Sequence, residues 1–153
     1  MNSRKGTTKD PSEGIRQVLG KHTKILLKVP VKMERSGGDK TDNRVIVITP
    51  HRLYVMTNKI PTKIDQHFHF LDISGIESKK PNQVVFKIHE KTYSFRPAVE
   101  TSGSEQIDEI IITLAKAVRS IFPGVLLANV IPKVRYSFCF KMFLFLNFKS
   151  MIL

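Results

Sequence analysis

Alternating apolar and polar residues predict that the chain from about residue 22 to residue 95 forms short β-strands. Along His22–Glu34, one face carries Ile25, Leu27, Val29, Val31 and Met33, and the other carries Lys24, Lys28 and Lys32. Pro30 lies on the polar face. Because proline has no N–H to donate to a ladder, its position predicts a sheet edge or a bulge.

Further apolar runs separated by polar or proline-containing breaks predict six more strands. They are expected at Arg44–Thr49, Leu53–Thr57, Ile64–Phe70, Leu71–Ile76, Gln83–His89 and Thr92–Phe95. The breaks between them are too short for helical crossovers, so the sheet is expected to be antiparallel.

A clear amphipathic helix is predicted at Ser102–Phe122. Its apolar residues recur at steps of three and four: Ile107, Ile110, Ile111, Leu114, Val118, Ile121 and Phe122. Ser102 and Glu105 have the spacing of a capping box, and Pro123–Gly124 is a stop signal. A second, short helix at Ser12–Leu19, ended by Gly20, is expected to pack on the outside of the strands. The pattern as a whole predicts a mainly β fold, a seven-stranded antiparallel barrel or sandwich capped by one C-terminal helix.

The charge of the chain favours a partner that carries phosphate groups. The 153 residues have a formal net charge of +12, and residues 1–60 contribute thirteen basic and five acidic side chains of that total. Cys139 is the only cysteine, and no secretory signal is evident at the N-terminus. These features indicate a protein of the reducing cytoplasm.

Composition divides the chain into three parts. Residues 1–11 are expected to be a disordered basic tail, residues 12–124 the folded domain, and residues 125–153 a divergent hydrophobic tail outside the domain. A bilayer-spanning helix needs about twenty mostly apolar residues. The apolar stretch 136–153 is shorter and is interrupted by Lys141 and Lys149, so an exposed end is favoured over a membrane anchor.

No motif of catalysis or of cofactor binding is present. The sequence lacks a glycine-rich phosphate loop, a nucleophile elbow and a metalloprotease spacing. His67 and His69 are two residues apart and form at most half of a metal site, since structural zinc usually takes four close ligands. We therefore expect no enzyme activity, no cofactor and no metal.

Three segments resemble one known family. The run Asn43–Thr49, the segment Ile60–Lys63 and the helix end Arg119–Gly124 are similar to the N-terminal pleckstrin-homology domain of the CARMIL family, the leucine-rich-repeat regulators of actin capping protein. The resemblance extends over about residues 12–134. It implies seven strands in two near-orthogonal sheets closed by a helix, weak binding to acidic membrane phospholipids, and a peripheral position at the plasma membrane. Capping protein is expected as a partner only through family regions that this chain lacks.

The resemblance also implies a site at the open end beside the first hairpin. The basic residues of that region form the candidate lipid-binding set: Lys24, Lys28, Lys32, Arg35, Lys40 and Arg44. The tight inositide pattern has a basic residue two positions after the second-strand arginine, where this chain has Ile46. The expected binding is therefore weak and of low selectivity.

Two other functions remain open at this point. A peptide- or protein-binding module of the phosphotyrosine-binding kind shares the same fold and would add a peptide strand beside the C-terminal helix. Nucleic-acid binding is suggested by the charge alone. It is not expected, because aromatic side chains do not accompany the candidate lipid-binding set.

Overall fold

The structure, a computed structural model, describes residues 11–35, 38, 40–79, 82–99 and 103–121. Within them, the elements in chain order are helix α1 (Pro11–Leu19), strands β1 (Leu27–Glu34), β2 (Thr41–Ile48), β3 (Arg52–Thr57) and β4 (Ile64–His69), a 3₁₀ turn (Phe70–Asp72), strands β5 (Ile73–Lys79), β6 (Gln83–Ile88) and β7 (Lys91–Pro97), and helix α2 (Gly103–Ile121).

The seven strands are hydrogen-bonded into one antiparallel sheet. Their order is β4–β3–β2–β1–β7–β6–β5, so β1 lies at the centre and β4 and β5 are the two edges. The prediction of seven antiparallel strands followed by a C-terminal helix is confirmed. The strands are joined through β1 as one sheet, because β1 pairs with β2 along its whole length and with β7 over Val31–Met33.

Pro30 lies where the regular pairing between β1 and β7 ends. Its carbonyl accepts a hydrogen bond from the Ala98 N–H at 3.3 Å, just beyond the last β7 residue, Pro97. The nitrogen and oxygen of a strand residue point to the same side, so the missing N–H faces β7 and takes nothing from the ladder with β2. The expected edge is therefore local, and β1 itself is a central strand.

Helix α2 covers the inner face of the sheet. The predicted apolar stripe is buried as expected: Ile107, Ile110, Leu114 and Val118 are each at most 2% exposed. These residues pack with Phe86 and Phe95 in a single large core. Burial of side chains of this size contributes about 1.5–3 kcal/mol each, which makes this the main stabilising contact of the helix.

Helix α1 packs on the opposite, outer face of the same sheet. Its Ile15 is 1% exposed and joins a second apolar cluster with Val45, Val47 and Met56. The expectation that a short helix packs against the barrel is thus confirmed. The second half of β2, residues 45–48, is buried on both faces as a result, because its alternate residues Ile46 and Ile48 belong to the main core.

The first strand begins later than predicted. The structure starts β1 at Leu27 rather than His22, because the preceding residues complete the end of α1. Gly20 adopts a φ of +96°, the Thr23 N–H donates to the Gly20 carbonyl at 3.1 Å, and the Thr23 hydroxyl donates to the Leu19 carbonyl at 2.5 Å. Lys24 therefore lies outside the strand.

Several sequence-based predictions fall on residues outside the described part of the chain. They are the basic tail before Pro11, the capping Ser102, the last stripe residue Phe122, the stop signal Pro123–Gly124, and the hydrophobic tail 125–153. Among the helices that the structure describes, none combines the length and apolarity needed to cross a bilayer.

Candidate functional site

Three strand connections meet at one end of the sheet, which we call the loop end. The hairpin of β1 and β2 is closest to it at the pair Glu34 and Thr41, and Arg44 of β2 pairs with Thr57, the last residue of β3. The turn between β6 and β7 follows the pair Ile88 and Lys91. The loop between β3 and β4, residues 58–63, lies at this end, whereas the 3₁₀ turn after β4 lies at the opposite end.

Both arginines of the candidate lipid-binding set are paired with carboxylates at the loop end. Arg35 makes a bidentate contact with Asp42, from Nε to Oδ2 at 2.6 Å and from Nη2 to Oδ1 at 2.8 Å. Arg44 Nε donates to Asp65 Oδ2 at 2.9 Å, and its Nη2 lies 3.5 Å from Asp42 Oδ2. Two cations are thus balanced by two anions.

The pKa values of this group follow from the same contacts. The hydrogen bond from Arg35 lowers the pKa of Asp42 below its usual value, and the positive charges of Arg35, Arg44 and Lys59 lower it further, while desolvation opposes them. Conversely, the hydrogen bond to Asp42 raises the pKa of Arg35. Asp42 is therefore ionised at neutral pH and offsets the charge of the arginines.

The outer face beside Lys32 carries a second paired group. Glu34, whose side chain is 17% exposed, contacts Arg96 Nε through Oε1 at 2.7 Å and accepts from Gln83 Nε2 through Oε2 at 2.7 Å. Arg96 is the direct partner of Lys32 across β1 and β7. Two cations side by side repel each other, and Glu34 offsets that repulsion by pairing with one of them.

The four lysines of the candidate lipid-binding set differ from the arginines. In the part of the chain that the structure describes, no carboxylate forms an ion pair with Lys24, Lys28, Lys32 or Lys40. Lys28 Nζ donates to the Ser12 hydroxyl at the start of α1. Lys28, Lys24 and Lys40 are exposed, and Lys32 is half-buried.

These six residues do not lie at a single point. Strand β1 has eight residues and is about 26 Å long. Lys24 lies beyond its start and Lys40 beyond its far end. Lys32 pairs with Asn43 and Val31 pairs with Arg44, so Lys32 lies one residue nearer to the loop end than Arg44. Lys28 and Lys32 lie along the outer face. The expectation that Lys24 shares the face of β1 with Lys28 and Lys32 is wrong, because the turn after α1 occupies that segment.

Position 46 is closed to a charged side chain. Ile46 is 0% exposed and belongs to the main core, where it faces α2 rather than the loop end. The basic residue that the tight inositide pattern needs at this position is thus excluded by packing as well as by sequence.

Two lysines outside the candidate set also reach the loop end. Lys59 and Lys63 lie in the 58–63 loop and are both exposed, and Lys59 is close enough to Asp42 to lower its pKa. Between them, Ile60 is 60% exposed. The sequence held a signal that was missed, since two lysines flank an apolar residue in a break between strands.

A cleft of about 230 Å³ separates this loop from α1. It is lined by Glu13, Gly14, Gln17, Val18, Ile60, Pro61 and Thr62. Thr62 is 8% exposed and lies so close to Gly14 that a Cβ there would be 2.5 Å from the Thr62 hydroxyl. The loop is therefore held against α1.

The paired histidines of β4 have local structural roles. His67 Nδ1 lies 3.2 Å from Arg52 Nη1 on the neighbouring strand, and His69 Nδ1 accepts from the Leu71 N–H at the start of the 3₁₀ turn. Among the described residues, no group of three or more possible ligands is arranged to hold a metal ion.

The fold is that of a pleckstrin-homology domain. The N-terminal pleckstrin-homology domain of human ARAP2 superposes with a TM-score of 0.53 at 16% identity, covering 72% of this chain and 89% of that one. A structure of Vav1 with its pleckstrin-homology and C1 domains gives 0.54 at 11% identity, covering 78% and 36% of the two chains.

Residues 25–123 match the family model of the Carmil pleckstrin homology domain, so this chain belongs to that family. The mouse protein called capping protein, Arp2/3 and myosin-I linker protein 3 is 26% identical over 117 residues, which is 76% of this chain. Its human counterpart is 25% identical over the same length. The chain spans 8% of the length of either relative.

Proposed function

We propose that this chain is a non-catalytic membrane-binding module that makes weak, unselective contacts with acidic phospholipids at the cytoplasmic face of the plasma membrane. The observation that carries the proposal is the contrast among its cations. The arginines at the loop end are offset by Asp42 and Asp65, whereas Lys28 and Lys32 on the outer face have no carboxylate partner among the described residues.

The strength of such binding follows from the number of available charges. Each lysine near an anionic leaflet contributes about 1 kcal/mol. The four lysines of the candidate lipid-binding set give at most about 4 kcal/mol, which corresponds to a dissociation constant no tighter than about 1 mM. A single domain would therefore be held reversibly, and stable recruitment would need a second membrane contact.

Vesicle co-sedimentation of the full chain tests the proposal. We expect binding to phosphatidylcholine vesicles that contain phosphatidylserine, no binding to phosphatidylcholine alone, and loss of binding at high ionic strength. Vesicles of equal surface charge made with phosphoinositide should bind equally well, because buried Ile46 stands where tight inositide binding needs a basic residue.

Single charge reversals locate the contact. Lys28→Glu and Lys32→Glu should each weaken binding to phosphatidylserine vesicles, whereas Lys116→Glu, an exposed lysine of α2 with the same change of charge, should have a smaller effect. Equal losses in all three variants would reduce the interaction to net charge and contradict a defined surface.

The names of the relatives include capping protein, Arp2/3 and myosin-I, but this chain spans only 8% of the length of those relatives. We propose that its part in that family is membrane attachment, with contacts to capping protein made by other regions. The alternative, a peptide-binding module, would add a peptide strand beside the C-terminal helix, at β5, an edge of the sheet that the structure describes. Absence of vesicle binding together with capture of a peptide at that edge would favour it.

A further inference from the structure

The loop between β3 and β4 presents the most exposed large apolar side chain among the residues that the structure describes. Ile60 is 60% exposed, compared with 52% for Val99, 45% for Leu71 and 40% for Val18. Covering this side chain with an apolar surface would be favourable, since full burial of an isoleucine is worth about 1.5–3 kcal/mol.

The loop is rigidly attached although its tip is exposed. The Thr57 N–H donates to the Lys63 carbonyl at 2.9 Å, and the Lys63 N–H donates to the Thr57 hydroxyl at 2.9 Å. Thr62 is buried against Gly14 of α1. Ile60 therefore lies in a turn that is fixed at both ends by hydrogen bonds and packing. Little conformational entropy of the loop would be lost if the Ile60 side chain were buried in a binding partner.

The charges around Ile60 match an anionic bilayer. Lys59 and Lys63 are exposed on either side of it, and residues 58–63 contain no acidic side chain. Val18 of α1 lines the same cleft as Ile60 and adds apolar surface. Glu13, which also lines the cleft, is the one acidic group there, and it lies on the α1 side.

We propose that Ile60 inserts into the boundary between head groups and acyl chains of an anionic bilayer, with Lys59 and Lys63 at the lipid phosphates. This inference rests on the proposed membrane function. It adds which loop of the domain inserts into the bilayer. An apolar residue between two lysines fits a surface that offers phosphates above hydrocarbon, since lysine stems extend along apolar surface while their ammonium groups remain in water.

A tryptophan probe tests insertion directly. The chain contains no tryptophan, so Ile60→Trp introduces a single fluorophore at the loop tip. Mixing with phosphatidylserine-containing vesicles should shift its emission to shorter wavelength and allow quenching by brominated acyl chains. Leu71→Trp is the matched control. Leu71 is 45% exposed in the 3₁₀ turn at the opposite end of the sheet, and it should stay unquenched.

Binding of the full chain provides the second measurement. Ile60→Ser should weaken co-sedimentation by about tenfold, as expected when an apolar side chain of this exposure is lost. Its salt dependence should stay that of the unaltered chain, because the lysines remain. Leu71→Ser should leave binding unchanged.

The outcomes separate the two proposals. If the unaltered chain fails to bind anionic vesicles, both the membrane function and the insertion of Ile60 are overturned. If it binds, but Ile60→Ser binds equally well and the tryptophan at position 60 is not quenched, the membrane function stands and the insertion is refuted. Thermal unfolding of each variant shows whether the fold is retained.

Discussion

The arginines at the loop end and the lysines of the domain are both cationic, but the structure uses them differently. Arg35 and Arg44 are paired with Asp42 and Asp65 at 2.6–2.9 Å. Lys28, Lys32, Lys59 and Lys63 have no ion-pair partner among the described residues. The formal net charge of +12 therefore overstates what the loop end can offer to an anion.

The chemistry of the two side chains accounts for the difference. A guanidinium presents its donors in a fixed plane that matches both oxygens of a carboxylate, as Arg35 does with Asp42. An ammonium group on a flexible stem is strongly hydrated and makes weaker surface pairs. The arginines thus serve the architecture of the loop end, and the lysines are available to a partner.

The largest expected effect comes from placing at position 46 the basic residue that the tight inositide pattern requires. Ile46→Arg should destabilise the domain by about 3–5 kcal/mol, because it buries an unpaired charge in the core. Ile46→Val, which removes one methylene from the same site, should cost about 0.5–1.5 kcal/mol. Denaturant unfolding measures both. An Ile46→Arg variant of normal stability that gained inositide binding would contradict the conclusion that packing excludes a charged side chain from position 46.

The attachment of the lysine-bearing loop to α1 gives the next effect. Gly14→Ala places a Cβ 2.5 Å from the Thr62 hydroxyl, so the buried Thr62 must move, at a cost of about 1–3 kcal/mol. Better helix propensity returns up to about 1 kcal/mol. We expect a net loss in thermal stability and weaker vesicle binding. Arg16→Lys, an exposed position on the same helix outside the cleft, should change neither.

Removing the carboxylate that offsets the arginines should increase lipid binding. Asp42→Asn leaves Arg35 without its partner and Arg44 with Asp65 alone. The net gain of one positive charge near the membrane is worth about 1 kcal/mol, or about fivefold in affinity. Co-sedimentation with phosphatidylserine vesicles measures it. Glu109→Gln, exposed on α2, makes the same change of charge and should have less effect.

The smallest effect concerns acid stability. Because Arg35 lowers the pKa of Asp42 in the folded state, the pair stabilises the fold above the unfolded-state pKa of about 3.9. That contribution is lost as pH falls through the lower folded-state pKa. The midpoint temperature of unfolding should fall less steeply, as the pH is lowered across this range, in Asp42→Asn than in the unaltered chain. An unchanged slope would show that the pair has no part in stability.

Local pattern was sufficient for most of the fold. The spacing of isoleucines located α2, and alternation located most of the strands, because one face of each must enter the core. The unbroken β-branched run Val45–Ile48 located β2, which is covered on both faces there. Boundaries were less accurate. β2 begins at Thr41 rather than Arg44, since the hairpin continues its ladder through polar residues that carry no hydrophobic signal. The start of β1 was displaced by the turn after α1, which depends on Gly20.

The candidate site was harder to predict because it depends on pairings between distant residues. Asp42 is seven residues from Arg35, and Asp65 is twenty-one from Arg44, so their contacts arise only when β1, β2 and β4 reach the same end. The exposure of Ile60 likewise depends on how the loop lies against α1. Sequence indicated which residues are basic, but not which of them are already neutralised.

Burial of β2 on both faces has a consequence for preparing the protein. The family match covers residues 25–123, and a recombinant fragment cut there would lack α1. Val45, Val47 and Met56 are now at most 5% exposed. Without α1, they would form an exposed apolar patch on the outer face of the sheet. A soluble fragment for crystallisation or NMR should start at or before Pro11.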